Sequence, residues 1–112
     1  MKKILVIEDR DYILKMMSRV FKDNPNVKMA ECHNEDEALE AIRKHRPEII
    51  LLDNSLSPGG NEGLNIVKLE EVKGIKIYST TSDEEIQTRY EEMGIEHVGK
   101  NDVAKLLEIA NS

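Results

Sequence analysis

Two apolar runs in this chain end in acidic residues. Residues 4–7 are followed at once by Glu8 and Asp9, and residues 49–52 are followed by Asp53. Short runs that are apolar throughout are typical of strands buried on both faces of a parallel sheet, and ligands bind at the carboxyl edge of such a sheet. Three carboxylates at one edge repel each other unless a cation lies among them. The pattern therefore predicts a site for a divalent metal ion that prefers oxygen ligands.

The size and charge of the chain limit the class of protein to which it can belong. Its 112 residues suit one domain, which we expect to span residues 1–112. The net charge of −6 and the pI near 5.1 argue against direct binding of nucleic acid or of an anionic membrane. No apolar run approaches the ~20 residues of a membrane span, and the N-terminal run is too short for a signal peptide. The single cysteine, Cys32, excludes an internal disulfide, so we expect a cytoplasmic protein.

Strand-like and helix-like segments alternate along the chain. We expect strands at residues 4–7, 27–31, 49–52, 75–79 and 95–98, and helices at residues 10–22, from Asn34 to before Pro47, from after Asn61 to Gly74, from Ser82 or Asp83 to Gly94, and at residues 102–110. Alternating strands and helices with short connections predict an α/β fold, in which helices cover both faces of a doubly wound, five-stranded parallel sheet.

Helix ends and inner faces also follow from the residue pattern. Asn34 followed by Glu37 predicts a capping box for the second helix, and Gly94 is a typical C-cap for the fourth. Core-facing residues at helical spacing are expected at Ile13, Met16, Met17, Val20 and Phe21 in the first helix, Ala38, Leu39 and Ile42 in the second, Leu64, Val67 and Leu69 in the third, and Val103, Leu106, Leu107 and Ile109 in the fifth.

Four motifs at the predicted strand ends resemble those of the receiver domain of two-component response regulators. In chain order they are Val6-Ile7-Glu8-Asp9, Ile50-Leu51-Leu52-Asp53, Ile77-Tyr78-Ser79-Thr80 and His97-Val98-Gly99-Lys100. Each motif is weak alone, but all four in this order and spacing are specific, and the resemblance covers essentially the whole chain. It implies a flavodoxin-like sheet with the strand order 2-1-3-4-5.

The resemblance implies a role for the acidic residues. Asp53 would accept a phosphoryl group from a phosphohistidine of a sensor histidine kinase or a histidine phosphotransfer protein. Mg²⁺ (or Mn²⁺) would be held by the side chains of Glu8, Asp9 and Asp53 and by the backbone carbonyl of Ser55. Such a metal ion bridges carboxylate and phosphoryl oxygens and neutralises charge in the transition state.

Two further side chains would contact the phosphoryl group. Lys100 would pair with its oxygens as a movable point charge, and a hydroxyl at the end of strand 4 would donate a hydrogen bond to it. Counting back from Gly94 without a gap favours Ser79 as this hydroxyl, whereas a shift of one residue gives Thr80. Strand alternation does not decide between them, because both faces of the sheet are covered.

Two residues beside Lys100 depart from the family pattern. Asn101 stands where proline is usual, so we expect a trans bond before it or a strained cis bond, which costs about 3 kcal/mol before a residue other than proline. Asn101 could also cap the fifth helix. His97 stands where the family commonly has an aromatic residue that moves on activation. It is either a pH-sensitive switch or a half-exposed packing residue.

The loop after Asp53 is a third departure, because it is longer than is usual in the family. It contains Ser57-Pro58-Gly59-Gly60, a sequence suited to turns, and it could alter partner choice or the lifetime of the phosphoryl group. Arg10, directly after the acid pair, has two interpretations. It either faces solvent at a helix start or reaches over the site to pair with Asp53 or the phosphoryl group.

The resemblance also implies an output through protein binding. Phosphorylation would draw the strand-4 hydroxyl inward and change the face formed by helix 4, strand 5 and helix 5, where an unknown target protein would bind. Such a chain is no enzyme beyond its own phosphorylation and dephosphorylation. Because little follows the fifth helix, we expect a single-domain regulator of the chemotaxis or phosphorelay kind, or else a fragment of a longer regulator.

The sequence leaves one main alternative and argues against two others. The main one is a degenerate receiver that binds a protein without phosphorylation, suggested by Asn101 and the long loop. A phospho-aspartyl phosphatase would need a second Asp two residues after Asp53 as general acid, and Ser55 stands there. A flavodoxin-like cofactor binder would need a phosphate-cradling loop after strand 1, where Glu8 and Asp9 would repel a phosphate.

Overall fold

Parallel pairing of five strands builds the sheet. The computed structural model describes all of residues 1–112. The strands are β1 (Ile4–Glu8), β2 (Val27–Glu31), β3 (Ile49–Leu52), β4 (Lys76–Ser79) and β5 (Glu96–His97), and the helices are α1 (Asp11–Val20), α2 (Glu35–His45), α3 (Glu62–Ile66), α4 (Glu84–Glu92) and α5 (Val103–Ala110), with one 3₁₀ turn at Glu70–Val72. The strand order is β2-β1-β3-β4-β5 and every pair is parallel. The predicted fold class and strand order are confirmed.

The sheet separates two apolar layers. Ile4 and Val6 of β1 point into a layer covered by α1 and α5, whereas Leu5 and Ile7 point into a layer covered by α2 and α3. β1 and β3 are buried along their whole length because helices cover both faces of the sheet. Cys32, just after β2, is buried in the second layer, as expected of a small apolar residue. None of the helices combines the length and the apolar character needed to cross a bilayer.

Several predicted boundaries and core positions differ from the structure. The third helix is shorter than expected, because α3 ends at Ile66 and Leu69 has an extended backbone before a separate 3₁₀ turn. β5 contains only Glu96 and His97. Val103, predicted to face the core, is exposed, because it lies in the first turn of α5, where the buried face is formed by later residues. Leu14 of α1 is buried although the spacing did not select it.

Side chains close the starts of three helices. The Asn34 side-chain oxygen accepts a hydrogen bond from the Glu37 N–H at 2.8 Å, and Glu37 Oε1 accepts one from the His33 N–H at 2.6 Å, which confirms the predicted capping box. Asp83 caps α4. The cap of α5 is Asp102, so the suggestion that Asn101 caps this helix was wrong.

We expect Asn34→Ala to destabilise the protein by about 1 kcal/mol, because the substitution leaves a backbone N–H of α2 without its acceptor. Urea unfolding followed by circular dichroism measures the change. Asn34→Ser retains an acceptor at the cap and should remain close to the wild type. Equal losses for both variants would show that the cap hydrogen bond is not the source of the effect.

Candidate functional site

The carboxyl ends of β1 and β3 lie side by side and carry three acidic side chains. Asp53 directly follows β3, and its N–H donates to the carbonyl of Ile7 at 3.0 Å, which places it beside Glu8. One carboxylate oxygen from each of Glu8, Asp9 and Asp53 lies within 4.8 Å of the others. Glu8 and Asp53 are only 1% and 3% exposed, and Asp9 is half-buried. The predicted acidic cluster is therefore present and largely shielded from solvent.

Lys100 joins this acidic pocket from the loop after β5. Its Nζ lies 2.9 Å from Glu8 Oε2 and 3.0 Å from Asp53 Oδ1, so it bridges two buried carboxylates. The preceding chain is held to β4, because the Val98 N–H donates to the carbonyl of Ser79 at 2.9 Å. The chain contains no cis peptide bond, and Lys100 thus reaches the pocket with a trans bond to Asn101.

The pocket holds more negative than positive charge. Burial and the nearby charge of Asp53 raise the pKa of Glu8 to about 7, and the hydrogen bond from Lys100 only partly opposes this. Burial also raises the pKa of Asp53. The charge and hydrogen bond of Lys100 oppose that effect, and contact with Asp9 adds to it. One ammonium group does not compensate three carboxylates in a poorly solvated pocket.

Two carboxylate oxygens in the pocket have no partner. Asp9 Oδ1 and Asp53 Oδ2 are buried and accept no hydrogen bond, whereas most buried polar atoms are paired. Free oxygen lone pairs together with excess negative charge fit a hard divalent cation such as Mg²⁺, which binds carboxylates and retains part of its water shell. The acidic set is consistent with the Mg²⁺ site expected from the sequence.

Ser79 and Thr80 lie at the neighbouring strand end. Both are buried, and Ser79 pairs in register with Leu52, the residue before Asp53. Thr80 lines a cleft of about 500 Å³ that opens beside Lys100 and Asn101. Neither hydroxyl donates to Asp53, since Asp53 Oδ2 has no partner and Oδ1 is bonded to Lys100. Both therefore remain candidates for the hydroxyl that contacts a phosphoryl group.

Arg10 and His97 take positions that the sequence left open. Arg10 is half-exposed, with its Nε 3.9 Å from Glu8 Oε1 and its guanidinium donating to the hydroxyl of Tyr12 at 2.9 Å. It therefore lies at the rim of the pocket and does not pair with Asp53. His97 is half-buried, and its Nε2 donates to the carbonyl of Thr81 at 2.7 Å. In this position it joins β5 to the loop before α4.

The long loop after Asp53 is held by Glu62, a residue that the sequence analysis did not select. The carboxylate of Glu62 accepts hydrogen bonds from the Leu56 N–H at 2.9 Å and from the Ser57 hydroxyl. Burial tends to raise the pKa of Glu62, but these hydrogen bonds outweigh it and lower the pKa overall. Gly59 turns the chain with φ of 71°. The loop is thus a hydrogen-bonded unit built around one carboxylate.

The sequence analysis also did not select Asn54 and Tyr90. Asn54, immediately after Asp53, is 3% exposed, and the Tyr90 hydroxyl donates to its side-chain oxygen at 2.9 Å. A polar residue directly after the phosphoacceptor candidate was the available signal for Asn54. For Tyr90 the signal was the lone aromatic residue within the fourth helix. Neither signal shows from sequence alone that the two side chains meet.

Comparison with known sequences gives one family match over nearly the whole chain and two curated relatives that match about half of it. The family model described as response regulator receiver domain matches residues 4–108. A protein-glutamate methylesterase/protein-glutamine glutaminase of Oleidesulfovibrio alaskensis is 35% identical over 54 residues, which are 47% of this chain and 15% of that protein. The corresponding protein of Methanosarcina barkeri is 34% identical over 53 residues, or 46% of this chain and 15% of its own length. The chain therefore spans only a small part of these relatives.

Solved structures share the fold. Chemotaxis protein CheY4 of Vibrio cholerae has a TM-score of 0.74 at 23% identity, covering 99% of this chain and 97% of that one. The BeF3-activated DrrB receiver domain has a TM-score of 0.71 at 22% identity, covering 99% and 95%. These likenesses establish the architecture, whereas membership rests on the family match. Because that match includes both acidic strand ends and the lysine that bridges them, the chain belongs to the response regulator receiver domain family.

Proposed function

We propose that this receiver domain is a phosphoacceptor signalling module working in the cytoplasm. Asp53 would take a phosphoryl group from a phosphohistidine of a sensor histidine kinase or a histidine phosphotransfer protein. The observation that carries the proposal is the state of the Asp53 carboxylate, which is buried, bonded to Lys100 through Oδ1 and free of any hydrogen bond at Oδ2. Membership in the receiver family supports a histidine kinase as partner.

Glu8, Asp9 and Asp53, with the backbone carbonyl of Ser55, would hold Mg²⁺ (or Mn²⁺). When bound, the metal ion would supply charge neutralisation as the phosphoryl group is transferred. The support from this chain is the excess negative charge of the pocket and the two unpartnered oxygens of Asp9 and Asp53. Ser55 is positioned by a hydrogen bond from its own hydroxyl to the carbonyl of Ser57 at 2.8 Å.

The covalent step requires one free oxygen on Asp53. This oxygen attacks phosphorus and forms a P–O bond while the P–N bond of the phosphohistidine breaks. The electron pair of that bond stays on the ring nitrogen, and a ring protonated on its other nitrogen leaves as neutral imidazole. Lys100 is already within hydrogen-bond distance of Asp53 and would move its charge to the phosphoryl oxygens. Ser79, or Thr80 beside it, would donate a hydrogen bond to the same group.

A change at the strand-4 hydroxyl would spread to the face formed by α4, β5 and α5. The carbonyl of Thr81 accepts hydrogen bonds from His97 of β5 at 2.7 Å and from Gln87 of α4 at 3.0 Å. Movement of Ser79 or Thr80 would therefore disturb contacts to both elements. We propose that an unknown target protein recognises this changed face.

We expect a small phosphodonor such as acetyl phosphate to add one phosphoryl group to the protein in the presence of Mg²⁺. Transfer breaks the donor's P–O bond, leaves acetate and forms an acyl phosphate on Asp53. Intact-mass analysis should show the gain for wild type and no gain for Asp53→Ala or for wild type in EDTA. Asp36→Ala, which removes an exposed carboxylate on α2, should be modified like wild type.

Absence of modification under conditions that modify a control receiver would reject the phosphoacceptor role. The protein would then act as a phosphorylation-independent binding module. Modification of Asp53→Ala to the same extent as wild type would place the phosphoryl group elsewhere.

We expect Glu8→Gln to stabilise the metal-free protein at neutral and higher pH. The pKa of Glu8 is raised from 4.5 to about 7, so the stability that its protonated form contributes is present below 4.5 and is lost as the pH rises through about 7. The variant cannot ionise and should avoid this loss. Thermal unfolding in EDTA at pH values on either side of 7 measures the difference.

Glu92→Gln is the matched control, because it makes the same charge change on an exposed residue of α4 and should show little pH-dependent gain. A Glu8→Gln variant that is less stable than wild type above pH 7 would mean that the bonds from Lys100 and Arg10 outweigh the effect of burial.

A further inference from the structure

A buried hydrogen bond joins α4 to the residue that follows Asp53. Tyr90 is fully buried, at 0% exposure, and its hydroxyl donates to Asn54 Oδ1 at 2.9 Å. The two residues are 36 positions apart in the chain, and neither takes part in the phosphoryl transfer proposed above. A tyrosine hydroxyl needs a partner when it is buried, and Asn54 supplies that partner beside the acidic pocket.

Three further hydrogen bonds hold Asn54 in place. Its Oδ1 accepts a second hydrogen bond from the Leu64 N–H at 3.2 Å, and its Nδ2 donates to Asn61 at 3.0 Å. Its backbone carbonyl accepts from the Gly63 N–H at 2.8 Å. With these bonds both the side chain and the peptide of Asn54 are fixed, and α3 and the end of the long loop are tied to the same residue.

Gly63 shows how closely these elements approach. A Cβ at this position would lie 2.8 Å from Asn54 Cα and 2.9 Å from the carbonyl oxygen of Asp53, and it would also collide with the Tyr90 hydroxyl. Real Cβ contacts are not that short, so only glycine fits here. The first turn of α3 and the hydroxyl from α4 therefore meet directly over the peptide that joins Asp53 to Asn54.

We propose that Tyr90 is a positioning residue that acts through Asn54. Its hydroxyl holds the backbone between Asp53 and Ser55 in the conformation that presents their oxygens to a metal ion, and it couples occupancy of the acidic pocket to α4. The inference rests on the Mg²⁺ site of the function proposed above and extends it to a contact outside the pocket.

The chemistry of the contact suits this role. Burial raises the pKa of the Tyr90 hydroxyl further above its usual value, and the charge of Asp53 adds to the effect, so the group stays a neutral donor. A neutral donor can fix the peptide next to Asp53 without pairing with its carboxylate. The oxygen of Asp53 that has no partner is thereby left available.

Tyr90→Phe tests the inference, because it removes only the hydroxyl and keeps the buried ring. Three quantities are measured: the Mg²⁺ affinity by titration calorimetry, the initial rate of modification by acetyl phosphate at saturating Mg²⁺, and the stability to urea. We expect Mg²⁺ affinity to fall about three- to tenfold, the range that loss of one hydrogen bond allows. Tyr78→Phe is the matched control, since it removes the same group from a half-buried tyrosine on β4, and its Mg²⁺ affinity should equal that of wild type.

A double-mutant cycle with Asn54→Ala tests the route through Asn54. If the hydroxyl acts through this amide, the effects of the two substitutions on Mg²⁺ affinity are not additive. Amide chemical shifts provide a second readout. Beryllofluoride and Mg²⁺ should change the chemical shifts of α4 amides near residue 90. We expect the size of this change to differ clearly between wild type and Tyr90→Phe.

A purely structural role for Tyr90 would lower stability but leave the Mg²⁺ affinity and the α4 shifts of the folded protein unchanged, and this result would overturn the inference. Additive effects in the double-mutant cycle would overturn the route through Asn54. If wild type itself binds no Mg²⁺, both the inference and the metal-dependent function are overturned. If wild type binds Mg²⁺ but takes no phosphoryl group, only the phosphoacceptor role is lost.

Discussion

The electrostatics of the pocket are set by the repulsion among the carboxylates that the parallel topology brings to one edge of the sheet. Adjacent parallel strands β1 and β3 both end at this edge, and each ends in acid, so Glu8 and Asp53 are necessarily neighbours. Burial in the sheet weakens the screening between them. Lys100, supplied from the far end of the chain, offsets only part of the charge. The pocket is thus left with a constant preference for further positive charge.

The residues around the pocket fall into two groups: one contributes charge, and the other fixes the position of the backbone. Lys100 contributes charge, whereas Asn54, Gly63 and Tyr90 contribute neutral hydrogen bonds and close packing that fix the peptide after Asp53. Neutral contacts can hold a backbone rigidly without altering the charge balance of the pocket. The long loop is held in a different way, because the ionisable carboxylate of Glu62 accepts hydrogen bonds from the loop itself.

The sequence predicts what depends on local patterns and misses what depends on distant contacts. Apolar runs ending in acid locate β1, β3 and the carboxylates, and the Asn34 capping box marks the start of α2. The end of α3 was misplaced, because helical spacing continues past Ile66 whereas the backbone becomes extended at Leu69. The meeting of Tyr90 with Asn54 joins residues far apart in the chain, and only the packing of α4 against the sheet brings them together.

In the function proposed above, these two kinds of contact would allow the pocket to act as a switch. Because its charge is uncompensated, a cation or a phosphoryl group changes the energy of the pocket more than it would at a neutral site. Lys100 bonds to both Glu8 and Asp53, so any new charge on Asp53 alters a contact that β5 and its loop help to hold. The neutral contacts on the other side of Asp53 join its neighbour Asn54 to α3 and to Tyr90 of α4. In the function proposed above, a local change in charge would reach β5 through Lys100, and the Thr81 carbonyl, which accepts hydrogen bonds from β5 and from α4, would pass it between these two elements.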